Sequence, residues 1–186
     1  MRFFIALELP ETSKQQLQSV QQALKQTIPT VNLADPDKLH LTLAFISDEP
    51  EERVDQFISV IKHAVSGIHP FEVTPAYIDG FPTLHHAHTF WVGVKGDIDK
   101  LMVIRERIKD GLDNLSLPVD ERRYTPHIAI AKIESFEITD SAEARLQATM
   151  MGEFDPIRIS SIKLFQSIPE GGLHRHNTLA QVPLEG

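Results

Sequence analysis

Two apolar runs in the sequence each carry a histidine, His40 in LHLTLAF and His127 in PHIAIAK. Side chains i and i+2 of a β-strand point to the same face, so His40 and Thr42 should share a face, opposite their leucine neighbours. An imidazole titrates near neutral pH and can act as a general acid or a general base. The two runs therefore indicate acid–base chemistry if the fold brings them to one site.

Each run taken alone also has a simpler interpretation. A single histidine in a strand is more often a packed or solvated residue than a catalyst, and short motifs match by chance. The argument for function depends on the pair, because the two histidines are 87 residues apart on strands that correspond in the order of elements. A duplicated fold would make them face each other.

Composition restricts the class of protein. The chain has 186 residues, 41% of them hydrophobic, which suits one compact unit, and it has no cysteine for disulfides or thiolate metal sites. The opening MRFFIALELPE has too short an apolar run for a signal peptide, and no span reaches the roughly 18 apolar residues of a membrane helix. We therefore expect a cytoplasmic monomer that does not bind membranes.

The formal net charge of -8 argues against binding along a long stretch of nucleic acid, because such binding depends on lysines and arginines that neutralise phosphates. A nucleic-acid substrate should instead be held at one point. A local positive cluster would still be needed, and its candidates lie in the second half of the chain: Arg122, Arg123, Lys132, Lys163 and Arg175.

Short apolar runs alternate with segments of helical period, which predicts an α+β fold. Strands are predicted over 3–9, 39–46, 71–78, 89–94, 123–133, 157–165 and 178–182. Helices are predicted over 13–28, 50–66, 98–112 and 141–150. Thr12 or Ser13 should cap the first helix, and Gly67 should end the second.

The order of these elements repeats once along the chain. The repeat predicts one domain over 1–186 made of two intertwined, pseudo-symmetric lobes, each an antiparallel sheet backed by helices. A central cleft between the lobes would hold His40, Thr42 and His127.

The motifs resemble those of a known family, the 2H phosphoesterases, specifically the RNA 2',3'-cyclic phosphodiesterases also called 2'-5' RNA ligases. RFFIALELP is similar to the family's opening strand, LHLTLAF to its first His-x-Thr-x motif, and YTPHIAIAK to its second motif. Phe81-Pro82 and the following FWVGV are similar to mid-chain features of the same family. The resemblance runs from Arg2 to about Phe165 and implies chemistry without a metal or a cofactor.

The resemblance implies a substrate with a terminal 2',3'-cyclic phosphate, either an RNA end or a nucleoside 2',3'-cyclic phosphate. Water attacks phosphorus while the ribose 3'-oxygen leaves in line, so a 2'-phosphate remains. We expect His40 to protonate the leaving oxygen and His127 to activate water, although the sequence does not decide which histidine takes which role. The reverse reaction would be a 2'-5' ligation.

The second motif departs from the family's pattern. Thr42 in the first motif is expected to donate a hydrogen bond to a phosphoryl oxygen, but Ala129 stands where the second threonine belongs. Losing one positioned donor can cost on the order of 10²- to 10³-fold in rate. Three outcomes follow from this change: a slower enzyme, a donor supplied elsewhere, or a protein that binds without turnover.

Further contacts to the substrate are predicted around the second motif. Thr125 is the first candidate for a substitute donor, and Lys132 stands where many relatives carry an arginine that binds phosphate. By strict alternation, however, Lys132 points away from His127. Arg123 is a candidate substrate contact, with a solvated strand entry as the simpler interpretation.

Aromatic side chains could stack on a base at the rim of the cleft, as they do in proteins that bind single-stranded RNA. Phe45 and Tyr124 are predicted for this role, with Phe81 a better candidate than Trp91 because Trp91 lies in the middle of a strand. The simpler interpretation for all four rings is a place in the core.

Two other histidine clusters could suggest a metal site. They are His85, His86 and His88 in LHHAH, and His174 and His176 in HRH. Metal-binding histidines usually have a fixed spacing and a fixed partner. The first group should lie in an exposed loop, and we expect no metal there. The second should lie in a turn after PEGG, where contact with substrate is as plausible as metal binding.

Two other classes of function remain open. A module that binds RNA ends or nucleotides without turnover is motivated by Ala129. A phosphodiesterase for a small cyclic metabolite would use the same residues on a different substrate.

Overall fold

A computed structural model gives the fold and describes residues 2–117, 119, 124–134 and 138–185. The described residues form an α+β architecture. The helices are α1 (Glu11–Thr27), α2 (Val54–Val65), α3 (Ile98–Asn114) and α4 (Asp140–Ala148). The strands are β1 (Arg2–Glu8), β2 (Asn32–Leu33), β3 (His40–Ile46), β4 (Phe71–Phe81), β5 (Thr89–Gly96), β6 (His127–Lys132), β7 (Ile157–Ile159), β8 (Ser161–Glu170) and β9 (Leu173–Pro183).

The predicted α+β alternation is confirmed, with several local differences. Helix α1 begins directly after Pro10, so neither Thr12 nor Ser13 caps it; the fixed backbone angle of proline suits a helix start. The strand predicted over 157–165 is two strands, β7 and β8, separated at Ser160. The strand predicted over 123–133 begins only at His127 among the described residues. Gly67 ends α2 as predicted, at a φ of +75° that favours glycine.

The strands form one antiparallel sheet in the order β7-β4-β5-β6-β3-β1-β8-β9, and β2 pairs with β6. The two predicted lobe sheets are therefore the halves of one continuous sheet. One half holds β4 to β7, whereas the other takes β1 and β3 from the start of the chain and β8 and β9 from its end. The halves meet where β3 pairs with β6, through Leu41 and Ile128.

Helices cover one face of the sheet. The stripes of α1, α2 and α3 are buried with the inward residues of the strands in one core, which is why each helix repeats apolar residues at three- and four-residue steps. Leu41 and Ile128 belong to that core, at 1% and 0% exposure. The imidazoles next to them in sequence must then point to the opposite face.

The two halves repeat each other in detail. Leu41 and Ile128 are 87 residues apart, like the two histidines, and they pair with each other, so a local twofold axis passes between them. Each central strand also has one extra residue against its outer neighbour, Leu43 in β3 and Ile130 in β6. These bulges are again 87 residues apart, which confirms the predicted pseudo-symmetry at the level of single residues.

The connection between β7 and β8 requires a curved sheet. Ser160 alone separates these strands, yet β7 lies at one edge of the sheet and β8 lies next to the other edge. The two edges must therefore approach each other. A sheet of about eight strands that curls in this way has room inside for side chains but not for helices, so the face without helices is the concave one. In the part of the chain described here, no helix has both the length and the apolar character needed to cross a membrane.

Candidate active site

Both predicted histidines are held in the same way at the start of their strands. The Nδ1–H of His40 donates to the carbonyl oxygen of Lys38, and the Nδ1–H of His127 donates to that of Thr125, both at 2.8 Å. A carbonyl oxygen can only accept, so Nδ1 carries the proton in each ring. Each neutral ring therefore keeps its Nε2 lone pair for a proton from a ligand, as acid–base work requires.

The two imidazoles lie on neighbouring strands. Because Leu41 pairs with Ile128, the antiparallel register puts His127 opposite Thr42 and His40 opposite Ala129. Burial is the main cause that lowers the pKa of His40; the bond to a carbonyl opposes this, and His127 lowers it further. That interaction means that the rings lie within electrostatic reach of each other.

The pKa of His127 is also lowered by burial, and its hydrogen bond to Thr125 opposes the shift. Both histidines therefore titrate below their usual value near 6.5 and are mainly neutral at neutral pH. Half-buried imidazoles of this kind, close to each other on a concave face, can divide the roles of acid and base when one of them holds a proton.

Thr42 shares the face of His40, as predicted, and is buried at 8% exposure. Its backbone carbonyl accepts a hydrogen bond of 2.7 Å from the hydroxyl of Tyr124. The ring of Tyr124 packs against the core, and the guanidinium carbon of Arg105 lies 4.9 Å from its centroid. Tyr124 thus fixes the strand that carries Thr42, and its stacking on a base stays a prediction.

Ala129 occupies the place that corresponds to Thr42. Its partner on β5 is Trp91, whereas the partner of Thr42 on β1 is Ala6. The small and large residues are therefore exchanged between the two halves, and an indole fills space next to the alanine. Thr125 precedes β6, and the contact that the structure gives it is made by its carbonyl oxygen, to His127.

Phe45 lies on the face of His40 because of the bulge at Leu43. An extra residue reverses the side-chain parity of a strand, so Ala44 turns to the core and Phe45 turns to the concave face. Phe45 is 67% exposed, and its ring centroid lies 6.0 Å from that of Phe4. A large exposed ring at this place is available for stacking.

Lys132 lies on the concave face for the same reason, so the expectation from strict alternation is wrong. The extra residue here is Ile130. Trp91 is opposite Ala129, and Thr89, two residues earlier on the same face of β5, is opposite Lys132. The exposed ammonium of Lys132 therefore shares the face of the second histidine, where a phosphate could reach it.

Different aromatic groups surround the two histidines. Phe4 lies 5.1 Å from His40 between ring centroids, and it stacks on Phe165 at 5.0 Å. On the other side, Phe81 meets His127 edge-on at 5.1 Å. Phe4 and Phe165 alternate with core residues in their strands, and this alternation is the signal in the sequence that could have placed them on the face of the histidines.

The wall beside His127 contains two more rings. Phe81, 39% exposed, stacks on Trp91 at 4.9 Å, and the indole is almost fully buried. Tyr77 meets the same indole edge-on at 5.8 Å. A side chain at Gly93, which is opposite His127, would overlap the Tyr77 ring. Glycine at this place therefore lets an aromatic ring close one side of the imidazole.

A third histidine also belongs to the site. His174 and His176 were predicted in a turn, but the turn is at Gly171 and Gly172, and both histidines lie in β9. The ring of His176 lies 5.7 Å from that of His40 and nearly perpendicular to it, at 80°. The period-two spacing in HRH is the signal that could have placed His176 on this face.

The basic candidates behave differently from one another. Arg122 and Arg123 lie outside the described residues. Lys163 forms an ion pair with Glu8, and Arg175 approaches Glu170 at 3.6 Å. Both of these cations therefore have carboxylate partners, in contrast to a cluster reserved for phosphate.

Among the other histidines, His85 is separate from His86 and His88. Its Nε2 lies 2.9 Å from a carboxylate oxygen of Glu143, and Asp140 is close to both. Nδ1 of His88 instead donates to the carbonyl of Glu134. The LHHAH segment therefore does not bring its three rings to one centre.

Comparison with known proteins gives the fold a context. A family model described as the 2'-5' RNA ligase superfamily matches residues 9–164. A curated protein of Methanocaldococcus jannaschii named RNA 2',3'-cyclic phosphodiesterase is 25% identical over 176 residues, with 94% of this chain and 96% of that protein covered. A Thermotoga maritima protein of the same name is 24% identical over 179 residues, with coverage of 94% and 92%.

Solved structures agree on the architecture. A crystal structure of a Thermus thermophilus protein superposes with a TM-score of 0.78 at 19% identity and covers 100% of this chain and 99% of that one. E. coli LigT, crystallised with 3'-AMP, gives a TM-score of 0.75 at 17% identity, with coverage of 98% and 97%. At these identities the likeness shows the fold.

Proposed function

The chain belongs to the 2'-5' RNA ligase superfamily, and we propose that it hydrolyses 2',3'-cyclic phosphates at RNA ends to 2'-phosphates. The observation that carries the proposal is the pair of imidazoles on equivalent strands, each held by the carbonyl two residues before it. The names of the relatives in Methanocaldococcus and Thermotoga support the same substrate class. The proposed reaction uses no metal and no cofactor.

His40 and His127 divide the proton transfers in this reaction. Nε2 of His127 accepts a proton from water as the water oxygen bonds to phosphorus. The bond from phosphorus to the ribose 3'-oxygen breaks in line, and that oxygen takes a proton from Nε2 of His40. The ring strain of the substrate is released, and each histidine contributes about 10²- to 10⁴-fold to the rate.

Three more side chains bind the phosphate and the nucleoside. The hydroxyl of Thr42 donates to a non-bridging oxygen, where negative charge grows in the transition state. The ammonium of Lys132 lies on the same concave face and offsets the charge of the phosphate, without the bidentate contact of an arginine. Phe45 presents an exposed ring for the base. Thr125 and Arg123 remain candidates for additional phosphate and substrate contacts.

The same site can also accept a different nucleophile. A 5'-hydroxyl that takes the place of water would attack the cyclic phosphate, with the same histidines as base and acid. The product is a 2'-5' phosphodiester, and no nucleotide triphosphate is consumed. We propose ligation as a secondary reaction that becomes visible when the 5'-hydroxyl end is in excess.

Ala129 motivates a second candidate function, a module that binds RNA ends or nucleotides with little turnover. The missing hydroxyl removes one donor to the phosphate from the second half of the site. Binding would persist through the aromatic rings, Thr42 and Lys132. The two functions make opposite predictions about product formation.

One assay separates the candidates. The purified protein is incubated with adenosine 2',3'-cyclic phosphate in EDTA, and the products are resolved as 2'-AMP and 3'-AMP. We expect 2'-AMP alone, formed at a rate that EDTA does not change. Measurable binding without product would favour the binding module. A parallel reaction with a cyclic phosphate that lacks a nucleoside, such as glycerol 1,2-cyclic phosphate, tests preference for a small metabolite.

A further inference from the structure

His176 is placed to contact the substrate, yet the proposed reaction does not use it. It lies on β9, and it faces the same concave surface as His40. Its ring packs edge-on against Phe4 at 4.9 Å and lies 6.3 Å from Phe165. We call Phe4, Phe45, Phe165 and His176 the aromatic wall.

The hydrogen bonds of the histidines separate His176 from its neighbours. His40 uses Nδ1 to bind a backbone carbonyl, and Nδ1 of His174 lies 3.2 Å from the hydroxyl of Ser167. Across the described ranges of the chain, neither ring nitrogen of His176 makes a hydrogen bond. The ring is half-buried, so an incoming polar group can reach these nitrogens without displacing a partner among the described residues.

The charge state of His176 limits what it can bind. Burial first, and then three basic neighbours, lower the pKa of His176 to about 4; the neighbours are His40, Lys38 and His174. At neutral pH the ring therefore has one N–H donor, one nitrogen acceptor and no charge. A donor next to an acceptor matches a sugar hydroxyl or a base edge, whereas a phosphate offers only acceptors.

We propose that His176 is a substrate-binding residue that hydrogen-bonds the nucleoside of the cyclic phosphate, while the exposed ring of Phe45 packs against its base. The buried ring of Phe4 contacts both of these side chains. This inference rests on the proposed function, because it assumes a cyclic phosphate between His40 and His127. The exposed ring of Phe45 and the half-buried imidazole of His176 provide an apolar surface beside one polar group, which is the usual composition of a site that orients a small ligand.

The position of the wall has a consequence for the chemistry. The leaving 3'-oxygen belongs to the ribose, so it lies on the side of the phosphate where the nucleoside binds. With the nucleoside on the aromatic wall, the leaving oxygen faces His40 and the attacking water faces His127. This arrangement agrees with His40 as the acid and His127 as the base.

The test compares His176→Phe with His174→Phe. The first change keeps an aromatic ring in the wall and removes both nitrogens, and the second makes the same change two residues away on β9. With adenosine 2',3'-cyclic phosphate, we expect His176→Phe to raise KM about 5-fold, the value of one hydrogen bond, with kcat changed less. With glycerol 1,2-cyclic phosphate, and for His174→Phe with either substrate, we expect no change.

A binding measurement keeps this test independent of turnover. Calorimetry with 2'-AMP and with inorganic phosphate should show that His176→Phe weakens 2'-AMP about 5-fold and leaves phosphate unchanged. If wild type binds 2'-AMP in this way but makes no product, the proposed function fails and the inference stands. Equal losses for both ligands, or no loss for 2'-AMP, would overturn the inference, because His176 would then act through His40 or not at all.

Discussion

The two halves of the sheet share a scaffold and differ in the side chains that they present. In both halves the histidine begins a central strand, donates Nδ1–H to the carbonyl two residues earlier, and precedes a bulge by three residues. The backbone has therefore kept its symmetry where it aims the imidazoles. This is expected if both rings must reach a single phosphorus atom with the same geometry.

The substituents around the histidines have diverged at equivalent positions. Thr42 corresponds to Ala129, and Phe45 corresponds to Lys132. The first half thus offers a hydroxyl and an exposed ring, and the second offers a cation. In the proposed function, this difference suits the halves to different parts of the substrate, with the nucleoside on the His40 side and the charge of the phosphate on the Lys132 side.

Removing either imidazole should have the largest effect on the rate, because the two imidazoles are the feature that both halves share. We expect His40→Ala and His127→Ala each to lower kcat by about 10³-fold or more, because each removes one of two proton transfers. The double variant should be little slower than either single one, since the residues act as a unit. Steady-state kinetics measure this, and unchanged circular dichroism is the control. A variant that keeps near-wild-type rates would remove that residue from the site.

Variants at Thr42 and Ala129 test whether each half can supply a hydrogen-bond donor to the phosphate. Thr42→Val keeps the shape of the side chain and removes its donor, so kcat should fall about 10²-fold. Ala129→Thr should raise kcat, because it restores a donor at the equivalent place. Combining Ala129→Thr with Thr42→Val should recover part of the loss in kcat. No loss in Thr42→Val would mean that the phosphoryl oxygens are held by other groups.

The pH dependence of kcat/KM tests the different roles of the two histidines, because the acid must be charged while the base is neutral. Burial lowers the pKa of both His40 and His127, so each loses its proton below its usual value near 6.5. We therefore expect a bell-shaped kcat/KM profile with its optimum on the acidic side of neutrality. Above about pH 6.5 the value should fall about tenfold per pH unit as the acid deprotonates. A flat profile between about pH 6 and pH 8 would contradict this.

Phe45 and Lys132, the last pair of equivalent positions, should give the smallest effects. They should also separate binding of the nucleoside from binding of the phosphate. Lys132→Met should weaken inorganic phosphate and adenosine 2',3'-cyclic phosphate alike, by about 10-fold, and Lys132→Arg should restore both. Phe45→Leu should weaken only the nucleotide, by about 5-fold or more, since it removes a stacking surface. Titration with each ligand measures both changes. Loss of phosphate binding in Phe45→Leu would contradict the proposal that Phe45 binds only the nucleoside.

The sequence predicted much of this arrangement. The helical stripes, the alternation of strands and helices along the chain, and the face shared by His40 and Thr42 all follow from periodicity, because each depends only on local burial. The correspondence of the two histidine runs also predicted a pseudo-twofold fold.

The remaining features depend on contacts between distant segments. A bulge adds one residue to a strand relative to its neighbour. Strict alternation along β6 alone therefore assigns Lys132 to the wrong face. Nothing in the local sequence of Tyr124 reveals its contacts with the carbonyl of Thr42 and the guanidinium of Arg105. His176 reaches the site only because β9 lies beside β8 at the edge of the sheet.

The central claim is that the two imidazoles flank one phosphorus atom. A crystal structure with 2'-AMP bound tests it most directly. The account predicts that Nε2 of His40 and Nε2 of His127 both lie within about 3.2 Å of oxygens of the same phosphate, with the base on the side of Phe45. A phosphate that contacts only one of the two rings, or that binds away from both, would contradict the account.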